Sequence, residues 1–366
     1  MLQHAVNVER SAGEMSADAS ARFLRNIWYV AAWSQDVVPG AIFGRRILGE
    51  SIVLFRAPDG RISALADYCP HRFAPLNLGK MLPNGRLQCG YHGLEFDAAG
   101  ACVRNPHGNG VIPPAAIVPA YPTIEKHGIV WIWMGKRAAD PSLIPDFSIL
   151  DAAGERLGRH DHIVFDANVE FVMANLLDLS HVSFLHDGIL GNQETIPAEI
   201  EVRQEGFRLF ITREQFNVTI PPLFRLTHKP EVERGDLWRV MRWDAPGCML
   251  LDAGTTDPGM SRDEGSGYYG VHLLTPETAT TTHYHFSSVR RKLDDAGTQD
   301  ETIKAEIARL RRIAFEGQDG PMIAAQQRTV SELEAQGRMV RPALLSVDAG
   351  PARYRRIMDQ LLAADR

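Results

Sequence analysis

The chain has 366 residues, of which 45% are hydrophobic and 23% charged, with a formal net charge of −6. That length exceeds one comfortable core and predicts two domains. The acidic balance argues against nucleic acid or an anionic membrane as the main partner, and no apolar run reaches the length of a membrane span.

Residues 1–22, rich in Ala, Ser, Glu and Asp, lack the apolar segment of a secretory signal and read as a flexible tail. Four cysteines with no staple-like framework point to a reducing compartment, so the cytoplasm is the expected location. Across residues 46–133 short β-branched runs alternate with turns. Ile52-Val53-Leu54-Phe55 ends at Pro58-Asp59-Gly60, Asn84-Gly85 forms a hairpin-type turn, and Ile129-Val130-Trp131-Ile132-Trp133 has the density of a buried strand. This is a small all-β domain, placed at 23–138.

Two motifs fall on loops of that domain: Cys69-Pro70-His71-Arg72 and Cys89-Gly90-Tyr91-His92-Gly93. Each supplies one thiolate and one imidazole. Such mixed ligation suits a Rieske [2Fe–2S] cluster, with Cys69 and Cys89 on one iron and His71 and His92 on the other. A structural zinc site also takes Cys2His2, but zinc spacing usually pairs Cys with Cys and His with His. Cys102 and Cys248 sit among apolar neighbours and read as small buried fillers.

Asp140-Pro141 through Pro145-Asp146 is a Pro-punctuated connector, and the second domain is assigned to 139–366. It opens with a helix expected over 168–186. Strand-like alternation follows at 209–212, 237–243, 269–274 and 281–286, then helices at 301–315 and 351–364. An antiparallel sheet with flanking helices makes the chain α+β.

Within the first helix Asn175, Asp178 and His181 are three apart and drift slowly around one face. His181 and His186 are five apart, about 140° around an ideal helix. Both reach one metal only if the helix breaks or widens between them, for instance by a π-type turn. Two histidines and one carboxylate on one face of a metal leave open positions, the arrangement of non-haem Fe(II) oxygenases. A pair of ordinary core or surface histidines is the alternative.

With these residues in hand, the chain resembles the oxygenase component of Rieske non-haem iron oxygenases, near the vanillate and dicamba O-demethylases. The likeness runs over residues 26–362. It includes Trp28-Tyr29-Val30-Ala31-Ala32, the two cluster loops, Asn175-Leu176-Leu177-Asp178-Leu179-Ser180-His181, His272-Leu273-Leu274-Thr275-Pro276-Glu277-Thr278 and Leu345-Ser346-Val347-Asp348-Ala349.

The resemblance implies one [2Fe–2S] cluster and one mononuclear Fe(II) per chain, and a homotrimer. It implies that an aspartate closes the iron site: Asp319 in Phe315-Glu316-Gly317-Gln318-Asp319-Gly320-Pro321, with Glu316 as rival. Gly317, Gly320 and Pro321 are expected to interrupt the helix beside it. Asp178 would bridge a cluster histidine of one subunit to an iron-ligand histidine of the next, and Asn175 would help order the iron site. His272, on a strand, matches a substrate-contacting position. Leu251 and Asp252 fall where a relative has a polar substrate-binding side chain, a departure from the dicamba pattern.

The implied activity is oxidative O-demethylation of a methoxylated, vanillate-like aromatic acid to a phenol and formaldehyde by a monooxygenase using O2. N-demethylation and ring hydroxylation use the same centres, and a bare Rieske electron carrier would need only the first domain. No Gly-rich dinucleotide fingerprint follows a strand, and the cysteines are too few for a plant-type ferredoxin. NAD(P)H is therefore expected to be oxidised by a separate reductase, with or without a ferredoxin.

Overall fold

The computed structural model describes residues 23–229, 231–292, 300–339 and 341–365. The expected tail at 1–22 lies outside the described residues. The chain divides into two compact units, Phe23–Asp146 with Thr275–Thr278, and Phe147–Leu274 with Ala279–Arg366.

The first unit is all-β. Its strands are β1 (Trp28–Trp33), β2 (Phe43–Ile47), β3 (Glu50–Arg56), β4 (Ile62–Ala66), β5 (Lys80–Met81), β6 (Leu87–Gln88), β7 (Glu95–Phe96), β8 (Cys102–Arg104), β9 (Ala120–Tyr121), β10 (Thr123–Lys126) and β11 (Ile129–Trp133). They form sheets ordered β1-β11-β10, β2-β3-β4-β9 and β5-β6-β7-β8. The unbroken apolar run in β3 has a two-sided cause. Ile52 and Leu54 enter a core with Ala64, Val130 and Ile132, while Val53 and Phe55 enter another with Leu65, Leu87, Cys69 and Cys89. A strand buried on both faces loses the polar alternation of a half-exposed one.

The second unit contains α1 (Ser148–Asp151), β12 (Asp161–Phe165), α2 (Val169–Leu177), β13 (Ile200–Glu205), β14 (Arg208–Thr219), α3 (Pro222–Arg225), β15 (Arg234–Asp244), β16 (Cys248–Thr256), β17 (Ser266–Pro276), β18 (Thr282–Arg290), α4 (Asp300–Arg312), α5 (Gly320–Ala335) and α6 (Ala349–Ala364). The seven strands make one sheet, ordered β12-β18-β17-β16-β15-β14-β13, so six run as a meander and β12 closes its far edge. The fold is α+β. One face of this sheet meets α2, α5 and α6, through Phe171, Met173, Ile323, Val330, Tyr354 and Ile357 packed on Ile211, Met241, Trp243, Tyr284 and Phe286. A second core under α4 joins Ile307 and Leu310 to Phe224, Leu237 and Tyr268. Leu190 and Leu251 pack against both cores.

Three expectations change. The helix foreseen over 168–186 ends at Leu177, because Asp178 turns to extended backbone (φ −93, ψ 104). His181 instead opens a 3₁₀ turn, His181–Ser183, so Asn175, Asp178 and His181 do not share one helix. The helix foreseen over 301–315 stops at Arg312, but Gly317, Gly320 and Pro321 do not break the chain out of helix. Ile313–Asp319 widens into a π turn, and α5 follows with Pro321 in its first turn, where a missing N–H costs nothing. Cys248 is buried as read, whereas Cys102 is only half-buried, and all four thiols are free.

Candidate active site

The two cluster loops are built alike. Cys69 N–H donates to Ala74 O, and Phe73 N–H returns to Cys69 O, each at 2.8 Å. The second loop repeats this with Cys89 N–H to Leu94 O at 2.9 Å and Gly93 N–H to Cys89 O at 3.0 Å. The residue four after each cysteine takes a left-handed conformation, Phe73 at φ 57 and Gly93 at φ 71. Both thiols are buried, and the His71 and His92 rings lie 4.5 Å apart toward the surface. Burial pushes the Cys69 thiol up to about 11, which suits a sulfur that ionises only against a bound cation. Behind the second loop the buried Glu95 carboxylate accepts from Arg104 at 2.6 Å and Arg86 at 3.2 Å.

In the second unit His181, His186 and Asp319 converge, with one donor atom from each inside a 4.8 Å span. The Nε2 atoms of His181 and His186 are 3.2 Å apart. Asp319 Oδ2 lies 3.2 Å from His186 Nε2, and Oδ1 lies 3.8 Å from His181 Nε2. Tautomers follow from the other ring nitrogens. His181 Nδ1–H donates to the Asp178 carbonyl, and His186 Nδ1–H donates to Gln318 Oε1 at 2.8 Å. Both Nε2 lone pairs then face each other and a carboxylate, an arrangement that needs a cation between them. Spacings near 3 Å match adjacent ligands on a metal with bonds of about 2.1 Å. Burial lowers the basicity of His181, with Asp319 opposing, and a neutral imidazole is the form that binds metal.

The carboxylate is held in turn. Asn175 Nδ2, in the last turn of α2, donates to Asp319 Oδ1 at 3.0 Å. Glu316 is not part of the cluster; it lies 3.2 Å from Arg312, one helical turn back. Gln327 turns elsewhere, accepting from the Asn168 N–H at 2.9 Å. Asp178 Oδ1 accepts from Ser180 N at 2.7 Å, and its Oδ2 stands 3.8 Å from His181 Nδ1.

Two arginines escaped the sequence reading. Arg213 on β14 and Arg239 on β15 are direct cross-strand partners, and both are buried. Arg213 donates to Leu179 O at 2.6 Å, to Ser183 Oγ at 3.2 Å and to Thr195 O; Arg239 donates to Gln215 Oε1 at 3.2 Å and to Leu190 O. Together they tie down the loop that carries both histidines at 179–195. Burial, with Arg213 adjacent, lowers Arg239 to about 10. Charged residues at inward positions of alternating strands were the signal available in the sequence.

The proposed substrate residues separate. On β16 and β17, Leu251 opposes Gly270 and Met249 opposes His272, whereas Asp252 opposes Tyr269. Strand alternation therefore puts Leu251 and His272 on the face that carries the helices, and Asp252 on the other. Asp252 accepts from Arg291 at 2.6 Å and from Trp238 Nε1 at 3.0 Å. The His272 Nδ1 pairs with the Tyr284 hydroxyl at 2.6 Å, while its buried Nε2 has no hydrogen-bond partner.

Comparison with known proteins agrees with this geometry. Residues 27–122 match the Rieske [2Fe-2S] domain, and residues 165–364 match the vanillate O-demethylase oxygenase C-terminal domain. The chain is 36% identical to the oxygenase component of chloroacetanilide N-alkylformylase from Rhizorhabdus wittichii, covering 94% of this chain and 97% of that one. It is 35% identical to the oxygenase component of dicamba O-demethylase from Stenotrophomonas maltophilia, covering 93% and 98%. The crystal structure of dicamba monooxygenase bound to 3,6-dichlorosalicylic acid superposes with a TM-score of 0.85 at 34% identity, covering 94% and 98%.

Fold and site define an oxidoreductase with a Rieske [2Fe–2S] domain and a His-His-Asp triad of the kind that holds a mononuclear iron. The chain belongs to the Rieske non-haem iron oxygenases, as an oxygenase component of the vanillate and dicamba O-demethylase family. An oxygenase component works in a multicomponent system and implies a reductase partner. No helix among the described residues is long and apolar enough to cross a membrane.

Proposed function

We infer that the protein removes the methyl group of a methoxylated aromatic acid by oxidative O-demethylation. One oxygen atom of O2 enters a methyl C–H bond, the resulting hemiacetal releases formaldehyde, and the phenol remains. Two electrons and two protons reduce the other oxygen to water, the electrons coming from NAD(P)H through a reductase, with or without a ferredoxin. The observation that carries this reading is the His181–His186–Asp319 cluster with both Nε2 lone pairs turned inward, in a chain 35% identical to an O-demethylase component.

Cys69, Cys89, His71 and His92 would hold the [2Fe–2S] cluster, and His181, His186 and Asp319 the iron. Bound there, the cluster supplies single electrons and the iron activates O2. The chain's own groups do the rest. The Asp178 carbonyl and Gln318 fix the two imidazole tautomers, Asn175 orients Asp319, and Arg213 and Arg239 keep the histidine loop in place. The Asp178 carboxylate would link the iron site to the cluster of a neighbouring subunit in a homotrimer, and the cytoplasm would supply reductant.

N-dealkylation is the second reading, favoured by the 36% identity to an N-alkylformylase component. A single-turnover assay separates the two. The chemically reduced holoenzyme is freed of reductant, given O2 and a panel of methoxybenzoates, N-alkyl anilides and simple arenes, and its products are identified. Formaldehyde from a methoxybenzoate establishes O-demethylation. Product only from the anilides or the arenes overturns it.

A further inference from the structure

Arg311 is 4% exposed at the C-terminal end of α4, with its guanidinium over the rings of Phe286 (5.1 Å) and Phe315 (5.9 Å). Its one hydrogen bond among the described residues runs from Nη2 to Ser287 O at 2.9 Å. No carboxylate forms an ion pair with it among those residues; the nearby Asp161 is engaged by Arg159 and Arg312 at 3.0 and 2.9 Å. A buried guanidinium without an anion is costly to keep. Arg213 and Arg239 differ, since each spends its donors on backbone carbonyls of the histidine loop.

Two more polar groups face the same region with capacity unused. His272 and Tyr268 lie on one face of β17, separated on that face only by Gly270. A Cβ on Gly270 would stand 2.8 Å from His272 Nε2 and 3.4 Å from Leu251 Cβ, so the imidazole leans over the gap that glycine leaves. With the Tyr284 hydroxyl donating to Nδ1, Nε2 carries the proton into that gap. The Tyr268 ring stacks on Phe224 at 6.0 Å, and its hydroxyl makes no hydrogen bond among the described residues. Phe315 touches both Arg311 and His272, the latter at 6.0 Å between rings, and Asp319 follows one turn later. Burial and the charge of Arg311 lower the basicity of His272 to about 3, so the ring acts as a neutral donor.

We propose that Arg311, with the Nε2–H of His272 and the hydroxyl of Tyr268, receives the carboxylate or sulfonate of an aromatic substrate. Anchoring that anion fixes which end of the ring is turned toward His181, His186 and Asp319. The proposal rests on the oxygenase reading for its substrate and adds the residue that selects for charge. Leu251, the residue of β16 facing this gap, has no polar atom to share the task.

The test reads binding without turnover. Oxidised holoenzyme is titrated calorimetrically with 4-methoxybenzoate, its uncharged methyl ester and 4-toluenesulfonate, as wild type, Arg311→Gln, Arg311→Lys and Tyr268→Phe. Wild type should bind at least one of the two anions about 10-fold or more tighter than the ester, and the better of them names the group. Arg311→Gln should weaken the anion by about 30-fold or more with little effect on the ester, and Arg311→Lys should recover part of the loss. Tyr268→Phe, which keeps the ring stack, should weaken the anion by about 5-fold or more and serves if Arg311→Gln does not fold. An anion-to-ester ratio unchanged in the variants overturns the proposal, as does a wild type that binds the ester best or binds none of the three. Formaldehyde release is scored separately, so loss of the anion preference leaves O-demethylation standing, and loss of formaldehyde leaves the anion site standing.

Discussion

Gln318 Oε1 sits 2.8 Å from His186 Nδ1, on the residue immediately before the carboxylate that shares the site with that histidine. The π turn Ile313–Asp319 makes this possible, because a wider turn shifts the two neighbouring side chains onto the same side. Gln318→Leu removes the acceptor that fixes the His186 tautomer and leaves the ligands in place. Iron affinity should fall about 10- to 100-fold while the visible spectrum of the cluster is unchanged. Metal analysis after dialysis against a graded chelator checks it, and iron retention equal to wild type would remove Gln318 from the site.

Arg213 supports the same site from the sheet. Arg213→Met keeps the bulk but leaves Leu179 O and Thr195 O without their donor in a dry interior. A cost of about 2–4 kcal/mol is expected from the unsatisfied carbonyls. Denaturant melting measures that loss, and iron content should drop with it, since the loop between the two carbonyls carries His181 and His186. A stable variant with full iron would show that packing alone holds the loop.

Asp178 already spends Oδ1 on the Ser180 N–H and hydroxyl, and its Oδ2 stands 3.8 Å from His181 Nδ1. Asp178→Asn can retain both Ser180 bonds and lose only the charge. Both metals should therefore remain, while reoxidation of the reduced cluster by O2 and substrate slows by about 100-fold. Stopped-flow absorbance reads this in a single turnover. Wild-type kinetics would sink the idea of an electron bridge.

The cluster loops offer a stability test. Phe73 holds φ 57 where its twin is Gly93 at φ 71, and its side chain is 74% exposed, so little burial opposes a change. Phe73→Gly relieves a left-handed conformation disfavoured for a residue with a Cβ, and should stabilise the first unit by about 1 kcal/mol. Thermal bleaching of the cluster should move upward; an equal or lower midpoint means the ring contact with Tyr68 outweighs the strain.

Much of this architecture could be read from residues in order. The Cys-x-His and Cys-x2-His loops announce themselves because all four ligands are local, and β3 and β11 declare burial by unbroken apolar runs. The requirement that the chain break between His181 and His186 was also legible, since five residues of ideal helix turn the rings apart. The manner of the break was not. The helix ends at Leu177, with Asp178 already extended, and the π turn falls on the other helix, beside Asp319, where Gly317, Gly320 and Pro321 loosen the chain. Gln318, Arg213, Arg239 and Arg311 were hidden for different reasons: Gln318 meets a histidine 132 residues away, the roles of Arg213 and Arg239 depend on which strand face turns inward, and that of Arg311 on which sheet residues its helix covers. Asp252 was legible in part: strand alternation puts it on the face opposite Leu251, but which of the two faces carries the helices depends on the fold.

His272 gives a pH dependence with a definite sign. Burial holds its folded basicity near 3, against about 6.5 in an unfolded chain. Below pH 6.5 the unfolded state takes up a proton that the folded state refuses, so stability is full above that pH and falls as pH drops toward 3. Between pH 7 and pH 5 this one group should remove about 2 kcal/mol from the wild type. His272→Gln cannot titrate and should lose that much less over the same interval, although it starts lower for want of the Tyr284 bond. Urea titrations of both proteins at pH 7, 6 and 5 compare the slopes directly. Parallel lines would mean that the folded protein protonates His272 as readily as water does, and the imidazole would then not be the dry, neutral donor that the gap beside Gly270 requires.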